Sequence, residues 1–292
     1  MKKKRIYAII LNYNSADESI RLFKDLRNLH PNDLGILVID NSSNPTERTK
    51  LEDKIPQKYL IFNSKNRGYA GGNNVGIEHA LEKNAEYIWI LNPDIRIENT
   101  SLLILKETLE KDKTLAAVGP RIIKRENPDT IFSDGELIDT SINFHTIHKN
   151  FNKKINSQSV ILDYDIDYID GSCILFNSQA IKKVGRISED YFLYFEETDW
   201  CTRAKRLGWK LAVNRRALAN NLTSEKKETY HYFYTRNKLL FSKKFDLNYE
   251  SLKKREIKTI VNELRSRLKG EYLKPYFFSR LKGLIAGITQ KI

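Results

Sequence analysis

An α/β fold, with a mixed, mostly parallel sheet flanked by helices and a C-terminal helical extension, is predicted by three observations. Strand-like and helix-like apolar patterns alternate through roughly the first hundred residues. Every strand run there ends in small polar or acidic residues. The chain beyond about residue 240 turns basic and takes helical spacing.

Ile6–Leu11 is a short apolar run closed by Asn12, Tyr13 and Asn14. Ser15 is an N-cap candidate for a helix with Ile20, Phe23, Leu26 and Leu29 on one face. Gly35–Ile39 and Tyr59–Phe62 read as buried strands, ending at Asp40 and Asn63. A helix is expected from Asn73 to Asn84, a fourth strand over Tyr87–Leu91, and a helix over Ser101–Lys111. Right-handed crossovers follow from this order, and ligands of such sheets bind beyond the carboxyl ends of the strands. Residues 121–165 are polar and read as loops with short strands. A strand at Ile169–Phe176, a short helix at Gln179–Val184, a helix from Glu197 to Leu207 capped by Gly208, and a strand at Lys210–Val213 complete a first domain, 1–240. The extension, 241–292, carries thirteen Lys and Arg against five Asp and Glu, so it holds +8 of the +13 total. Ile257, Ile260, Val261, Leu264 and Leu268 mark one apolar stripe there, and Leu281, Leu284, Ile285, Ile288 and Ile292 a second.

Composition excludes several classes. At 40% hydrophobic and 30% charged, the 292-residue chain is neither a membrane bundle nor disordered. No run approaches the roughly 20 apolar residues of a spanning helix. The opening MKKKRIYAIIL lacks the length and cleavage site of a signal peptide, so a cytoplasmic location is expected. Cys173 and Cys201 make no CxxC pair and read as core residues of a reducing compartment. No Walker loop or GxGxxG occurs, and no nucleic-acid-binding signature accompanies the basic charge.

Three segments carry candidate chemistry. Gly68–Gly76 is glycine-rich before a helix, which lets backbone approach a phosphate; a tight turn explains it equally well. Asn92-Pro93-Asp94 follows a buried strand, where a carboxylate can share Mg2+ or Mn2+ with substrate phosphates; a proline turn is the plainer explanation. Glu196-Glu197-Thr198-Asp199 crowds three acids at a helix start, where crowding raises pKa values to suit a general base; acidic capping is the alternative. The five histidines are read as non-ligands, His145 and His148 lacking the spacing of a zinc helix.

In order, ILNYNS (10–15), VIDNSS (38–43), NRGYAGGNNVGI (66–77), LNPD (91–94), DGSCILFNSQAIKKVG (170–185), DYFLYFEETDWCTRAKRLGW (190–209) and YTRN (234–237) resemble the rhamnosyltransferase-like branch of the family 2 glycosyltransferases. The resemblance implies a GT-A fold and inverting transfer of a sugar from a nucleotide donor, dTDP-rhamnose first and UDP-sugars next. It implies that Leu11, Asn12, Tyr13 and Asp40 line the nucleoside with Ser42 nearby. Arg67, Gly68 and Asn73 match the nucleotide and diphosphate segment. Asn92 and Asp94 match the DxD-like element, with Asp94 on the metal, Mg2+ or Mn2+. Glu197 matches the catalytic base, with Glu196 and Asp199 in support, and Arg236 would meet pyrophosphate or acceptor. One departure is that Asn220 and Asn221 stand where the family often has a His.

The basic amphipathic tail suits the interface of an anionic membrane. The family resemblance implies a lipid-linked saccharide acceptor of bacterial surface polysaccharide synthesis, such as O-antigen, and this placement fits it. The enzyme would sit on the inner face of the cell membrane. A homodimer contact is the other use of such helices, and an inactive membrane scaffold is the competing function.

Overall fold

The computed structural model describes residues 5–29, 34–141, 144–157, 160–222, 225–269 and 272–290. Ile292, and His30 among the five histidines, lie outside them. The described chain divides into two compact units.

The first unit takes in residues 1–137, 148–189 and 196–223. Its sheet is built from β1 (Ile6–Asn12), β2 (Leu34–Asp40), β3 (Leu60–Phe62), β4 (Tyr87–Leu91), β5 (Arg96–Ile97), β6 (Leu115–Lys124), β7 (Asn127–Ser133), β10 (Leu162–Asp163), β11 (Cys173–Asn177) and β12 (Lys210–Asn221). The remaining strands, β8 (Glu136–Asp139) and β9 (His145–His148), pair with each other. Along the sheet the order is β10-β12-β6-β11-β4-β1-β2-β3. β3, β2, β1 and β4 are mutually parallel, β11 runs antiparallel to β4 and β6, and β12 is parallel to β6.

The expected strands of the first hundred residues are present at nearly their predicted limits. α1 (Ala16–Leu29) buries Ile20, Leu22, Phe23 and Leu26. α4 (Ser101–Lys111) buries Leu102, Leu105 and Leu109. Trp89, Ile10, Val38 and Leu175 sit among the fully enclosed side chains between the layers. Later in the chain β11 begins at Cys173 where Ile169 was expected, and β12 runs past the expected Val213 to Asn221. Two helices of the first hundred residues also differ from expectation. α2 (Pro45–Lys54) was unforeseen because it buries only Leu51 and so shows no apolar stripe; Asn44 caps it through its side chain and proline stands at its first turn. α3 (Gly68–Glu82) begins five residues before the expected Asn73, so Gly71, Gly72 and Gly76 are helical, while Gly68 at φ 70° makes the turn into the helix. They are needed there: a Cβ on Gly76 would lie 2.7 Å from a methyl of Ile9, so only glycine lets this helix approach β1.

The stretch 121–165 is more ordered than its polarity suggested, because ion pairs are buried in it. The Asp134 carboxylate is fully enclosed and accepts two bonds from Arg121, at 2.6 and 2.8 Å. Arg215 of β12 lies 3.0 Å from Asp134 and 2.5 Å from Asp163. Such a paired set reads as polar in sequence while behaving as core. α5 (Ser178–Val184) and α6 (Glu196–Arg206) close the unit.

The second unit comprises residues 138–147, 190–195 and 224–292. It contains α7 (Glu228–Phe245), α8 (Tyr249–Leu268) and α9 (Phe277–Thr289). The boundary expected at 240/241 falls inside α7. Charge changes there but packing does not: Leu239, Leu240, Phe241 and Phe245 share one core with Phe277 and Leu284. The first stripe read in the extension lies on α8, and Leu281, Leu284, Ile285 and Ile288 of the second lie on α9. Among the described residues, no helix is long and apolar enough to cross a membrane.

Candidate active site

β1, β2 and β4 are parallel, so their carboxyl ends share one edge of the sheet, and β12 ends on that edge too. Asn12 and Asp40 face each other in register at the ends of β1 and β2. Both are buried, and the Asn12 amide donates to Asp40 Oδ1 at 2.9 Å. Asn12 Nδ2 also reaches Ser43 Oγ, while Asn12 Oδ1 accepts from Ser19. Ser42 holds a left-handed φ of 67°, which turns the DNSS loop so that the Ser43 amide donates back to Asp40. Leu11 is buried and Tyr13 is half exposed.

Arg67, Gly68 and Asn73 lie around the start of α3. Arg67 bridges to both carboxylate oxygens of Glu189 at 3.2 Å. The Gly68 carbonyl accepts from Asn41. Asn73 is buried on the second turn, its amide bonded to the Tyr69 carbonyl and its Oδ1 without a partner among the described residues.

Asn92 follows β4, and its amide donates to the Ser172 carbonyl at 2.9 Å. Asp94 is two residues on. Burial raises its carboxyl pKa, and Glu18 adds to this while Arg96 and Arg125 oppose it. Arg125 donates through its side chain to the Asp94 carbonyl and through its amide to the Asn221 carbonyl. The Asn221 side-chain oxygen is enclosed and has no partner among the described residues.

Because β11 is antiparallel to β4, its beginning lies where β4 ends: Cys173 pairs with Leu91. Asp170, Gly171 and Ser172 therefore stand at the same edge as Asp40 and Asn92. A Cβ on Gly171 would lie 3.5 Å from the Glu197 carboxyl carbon and 3.5 Å from the Tyr69 hydroxyl, which donates to the Gly171 carbonyl. Glu196 and Glu197 begin α6. Glu196 is buried; Glu197 is partly open, but the Oε2 of each is enclosed and lacks a partner among the described residues. Burial pushes the Glu197 carboxyl up to about 8, with Asp170 and Glu136 adding their charge; Glu196, buried beside Glu197, is raised well above the usual range. Asp199 is fully buried and accepts from Arg203 at 2.6 Å, an i,i+4 pair. Arg203 also bonds the carbonyls of Val184 and Arg186, so Asp199 ties α6 to the end of α5.

A glycosyl transferase family 2 model matches residues 7–185, more than half of the chain. The chain belongs to that family. It is 27% identical to the low-salt glycan biosynthesis hexosyltransferase Agl10 of Haloferax volcanii, over 94% of this chain and 90% of that protein. It is 27% identical to the dTDP-rhamnosyl transferase RfbF of Shigella flexneri, over 70% of this chain and 64% of that protein. Among solved structures, the mannosyltransferase PcManGT from Pyrobaculum calidifontis, in complex with GDP-Man and Mn2+, superposes with a TM-score of 0.60 at 14% identity, covering 99% of this chain and 87% of that one. The fold is GT-A, and the protein is a glycosyltransferase.

One part of the transferase escaped the sequence reading. Glu136, buried near Asp170, bonds His148 at 2.7 Å, and burial pushes its carboxyl up to about 7. The spacing of His148 from His145 carried no signal, because its partners lie 12 and 22 residues away in sequence. Arg236 belongs to the second unit; its guanidinium donates to the carbonyls of Asp190 and Tyr191 and to Gln290. Its neighbour Asn237 donates to the carbonyls of Tyr191, Leu193 and Tyr194.

The raised Glu197 has a thermodynamic consequence. A carboxyl whose folded pKa lies above its ordinary 4.5 binds more protons folded than unfolded between 4.5 and about 8, so its contribution makes stability fall as pH rises through that window. Urea unfolding between about pH 5 and pH 8 should show this decline, flattened in Glu197→Gln; an unchanged slope in the variant would refute the buried charge.

Proposed function

We propose that this glycosyltransferase transfers rhamnose from dTDP-rhamnose, with inversion, to a hydroxyl of a lipid-linked saccharide in bacterial surface polysaccharide synthesis. The observation that carries this reading is the place of Glu197: its carboxyl stands against Gly171, at the sheet edge that also bears Asp40 and Asp94, and burial there pushes its pKa up. The name of RfbF supports the donor.

The transition state of glycosyl transfer is oxocarbenium-like. An acceptor hydroxyl must lose its proton as it attacks the face of the sugar opposite the leaving diphosphate. Glu197 takes that proton, since its ionised form is a stronger base than an ordinary glutamate. Burial, with the charges of Asp170 and Glu136, keeps that basicity high, Glu196 stands beside Glu197 at the start of α6, and Asp199 fixes α6. Leu11, Asn12, Tyr13, Asp40 and Ser42 hold the nucleoside, Arg67, Gly68 and Asn73 the diphosphate side, and Arg236 is assigned to pyrophosphate or acceptor. Glu197→Gln should lower kcat by at least about a hundredfold while donor binding persists; near-normal turnover would remove Glu197 from this role.

The residues present fit a hard divalent cation. Asp94 is a carboxylate that burial makes uncomfortable, and Asn221 offers an unpartnered buried amide oxygen in the neighbourhood of the same Arg125. Mg2+ or Mn2+ held by Asp94 would neutralise charge developing on the leaving diphosphate. Calorimetry should show donor affinity that depends on metal in the wild type and far less in Asp94→Asn; equal donor binding with and without metal would exclude the cation.

The second unit supports a place on the inner membrane face. Leu268, Tyr272 and Phe278 are 88%, 93% and 66% exposed, in a segment that also carries Arg265, Arg267, Lys269 and Lys274. Full-length protein should float with anionic liposomes and stay down with neutral ones; failure to float with either would refute membrane docking.

A further inference from the structure

We propose that Glu136, His148 and Asp170 form a sugar-hydroxyl subsite of the first unit, taking a neutral, hydroxyl-rich ring and rejecting an acidic one. The inference rests on the reading of the protein as a user of nucleotide-sugars, and adds which residues grip a sugar and which sugars they admit.

The three side chains come from separate stretches of chain. The Glu136 amide donates to the Tyr168 carbonyl at 3.0 Å and the Asp167 amide to the Glu136 carbonyl at 2.8 Å, which fixes Glu136 near Asp170. Asp170 is held by the amide and hydroxyl of Ser172, both on Oδ1. The His148 ring packs on Phe132, at 4.7 Å between centroids. One ligating atom from each of the three lies within 4.8 Å of the others.

The cluster offers more acceptors than donors. Glu136 is 1% exposed; its Oε1 already takes the Ser133 hydroxyl and His148 Nδ1, each at 2.7 Å. Its Oε2 is enclosed and has no partner among the described residues, and the same holds for the Oε2 of Glu196 and Glu197. Glu197 lies close enough for Asp170 and Glu136 to act on its charge. Buried acceptors left unpaired are costly, so the natural occupant brings hydrogen-bond donors. Adjacent hydroxyls of a sugar do so without disturbing any bond already made. A diphosphate or a uronic acid brings negative oxygens, which this group of carboxyls repels. A divalent cation is the competing occupant, since Glu136 Oε2, Asp170 and a His148 ring nitrogen can face one ion, and the Mn2+ titration below decides between the two.

The hydroxyls can belong to the donor's sugar or to the acceptor's terminal sugar, and binding measurements separate these. Full-length wild type, Glu136→Gln and Asp170→Asn are titrated by calorimetry with dTDP-rhamnose and with dTDP. With dTDP present, saturation-transfer NMR then follows rhamnose, N-acetylglucosamine and glucuronic acid. If the donor's sugar is held, both variants weaken dTDP-rhamnose by about tenfold or more and leave dTDP unchanged. If the acceptor's sugar is held, they abolish the neutral monosaccharide signals and leave dTDP-rhamnose unchanged. In either case glucuronic acid gives no signal with the wild type. Sugar binding unaffected in both variants overturns the proposal. So does an equivalent of Mn2+ bound by the wild type alone and lost in Glu136→Gln, which makes this a cation site. A wild type that binds no nucleotide-sugar refutes the broader reading, and the monosaccharide arm still decides the subsite.

Discussion

The reversed strand β11, set between β4 and β6, is the constraint on which the site depends. In a purely parallel sheet, each strand offers only its last residues to the carboxyl edge. An antiparallel strand offers its first. Thus Asp170, Gly171 and Ser172 arrive beside the ends of β1, β2 and β4, and the Ser172 carbonyl receives the amide of Asn92. The absence of a side chain at Gly171 lets Glu197 and the Tyr69 hydroxyl come to that backbone. Two α3 requirements follow the same logic: glycine at 76 lets the helix settle on β1, and Tyr69 on its first turn then reaches Gly171.

Electrostatically, the edge is divided. Around Asn12 and Asp40, each polar atom that the argument uses is paired, and the geometry of the loop is set by those bonds. Around Glu136, Glu196 and Glu197, carboxyl groups are enclosed with oxygens unpaired, and burial is the largest cause of each raised pKa. The first kind of arrangement holds a backbone in shape, and the second keeps proton acceptors ready for chemistry. The buried Arg121–Asp134–Arg215 set shows that this chain does neutralise acids with arginine where structure alone is at stake.

Much of this was legible in the sequence because it rests on local patterns. Strand runs over 6–11, 35–39 and 87–91 and the acid-rich start of α6 announce themselves by period and composition. Position along the chain also told that Asn12, Asp40 and Asp94 end strands. What was hidden depends on contacts between distant residues. α2 has almost no apolar face, Asp134 and Arg215 look like solvent-facing charges, and His148 reads as a stray histidine until Glu136 is folded against it. The glycines of α3 mislead for a different reason: helix propensity disfavours them, and close packing against Ile9 overrides propensity.

Residues 190–195 carry the same lesson into the second unit. Phe192, Tyr194 and Phe195 all take left-handed φ values, 64°, 68° and 74°. A side chain in that region costs on the order of 1–2 kcal/mol, so three of them within four residues demand compensation. Packing supplies part, since Phe195 is buried in the aromatic core with Phe241 and Phe192 stacks on Phe233. The rest comes from Asn237, whose single amide group satisfies three carbonyls that the twisted backbone turns inward, and from Arg236, which takes those of Asp190 and Tyr191. A shorter or purely apolar residue at 237 would remove these bonds to the carbonyls of Leu193 and Tyr194 and one of the bonds to that of Tyr191. The Arg-Asn pair in YTRN therefore has a physical reason within its own unit: it holds in a strained path the segment whose next residue is Glu196.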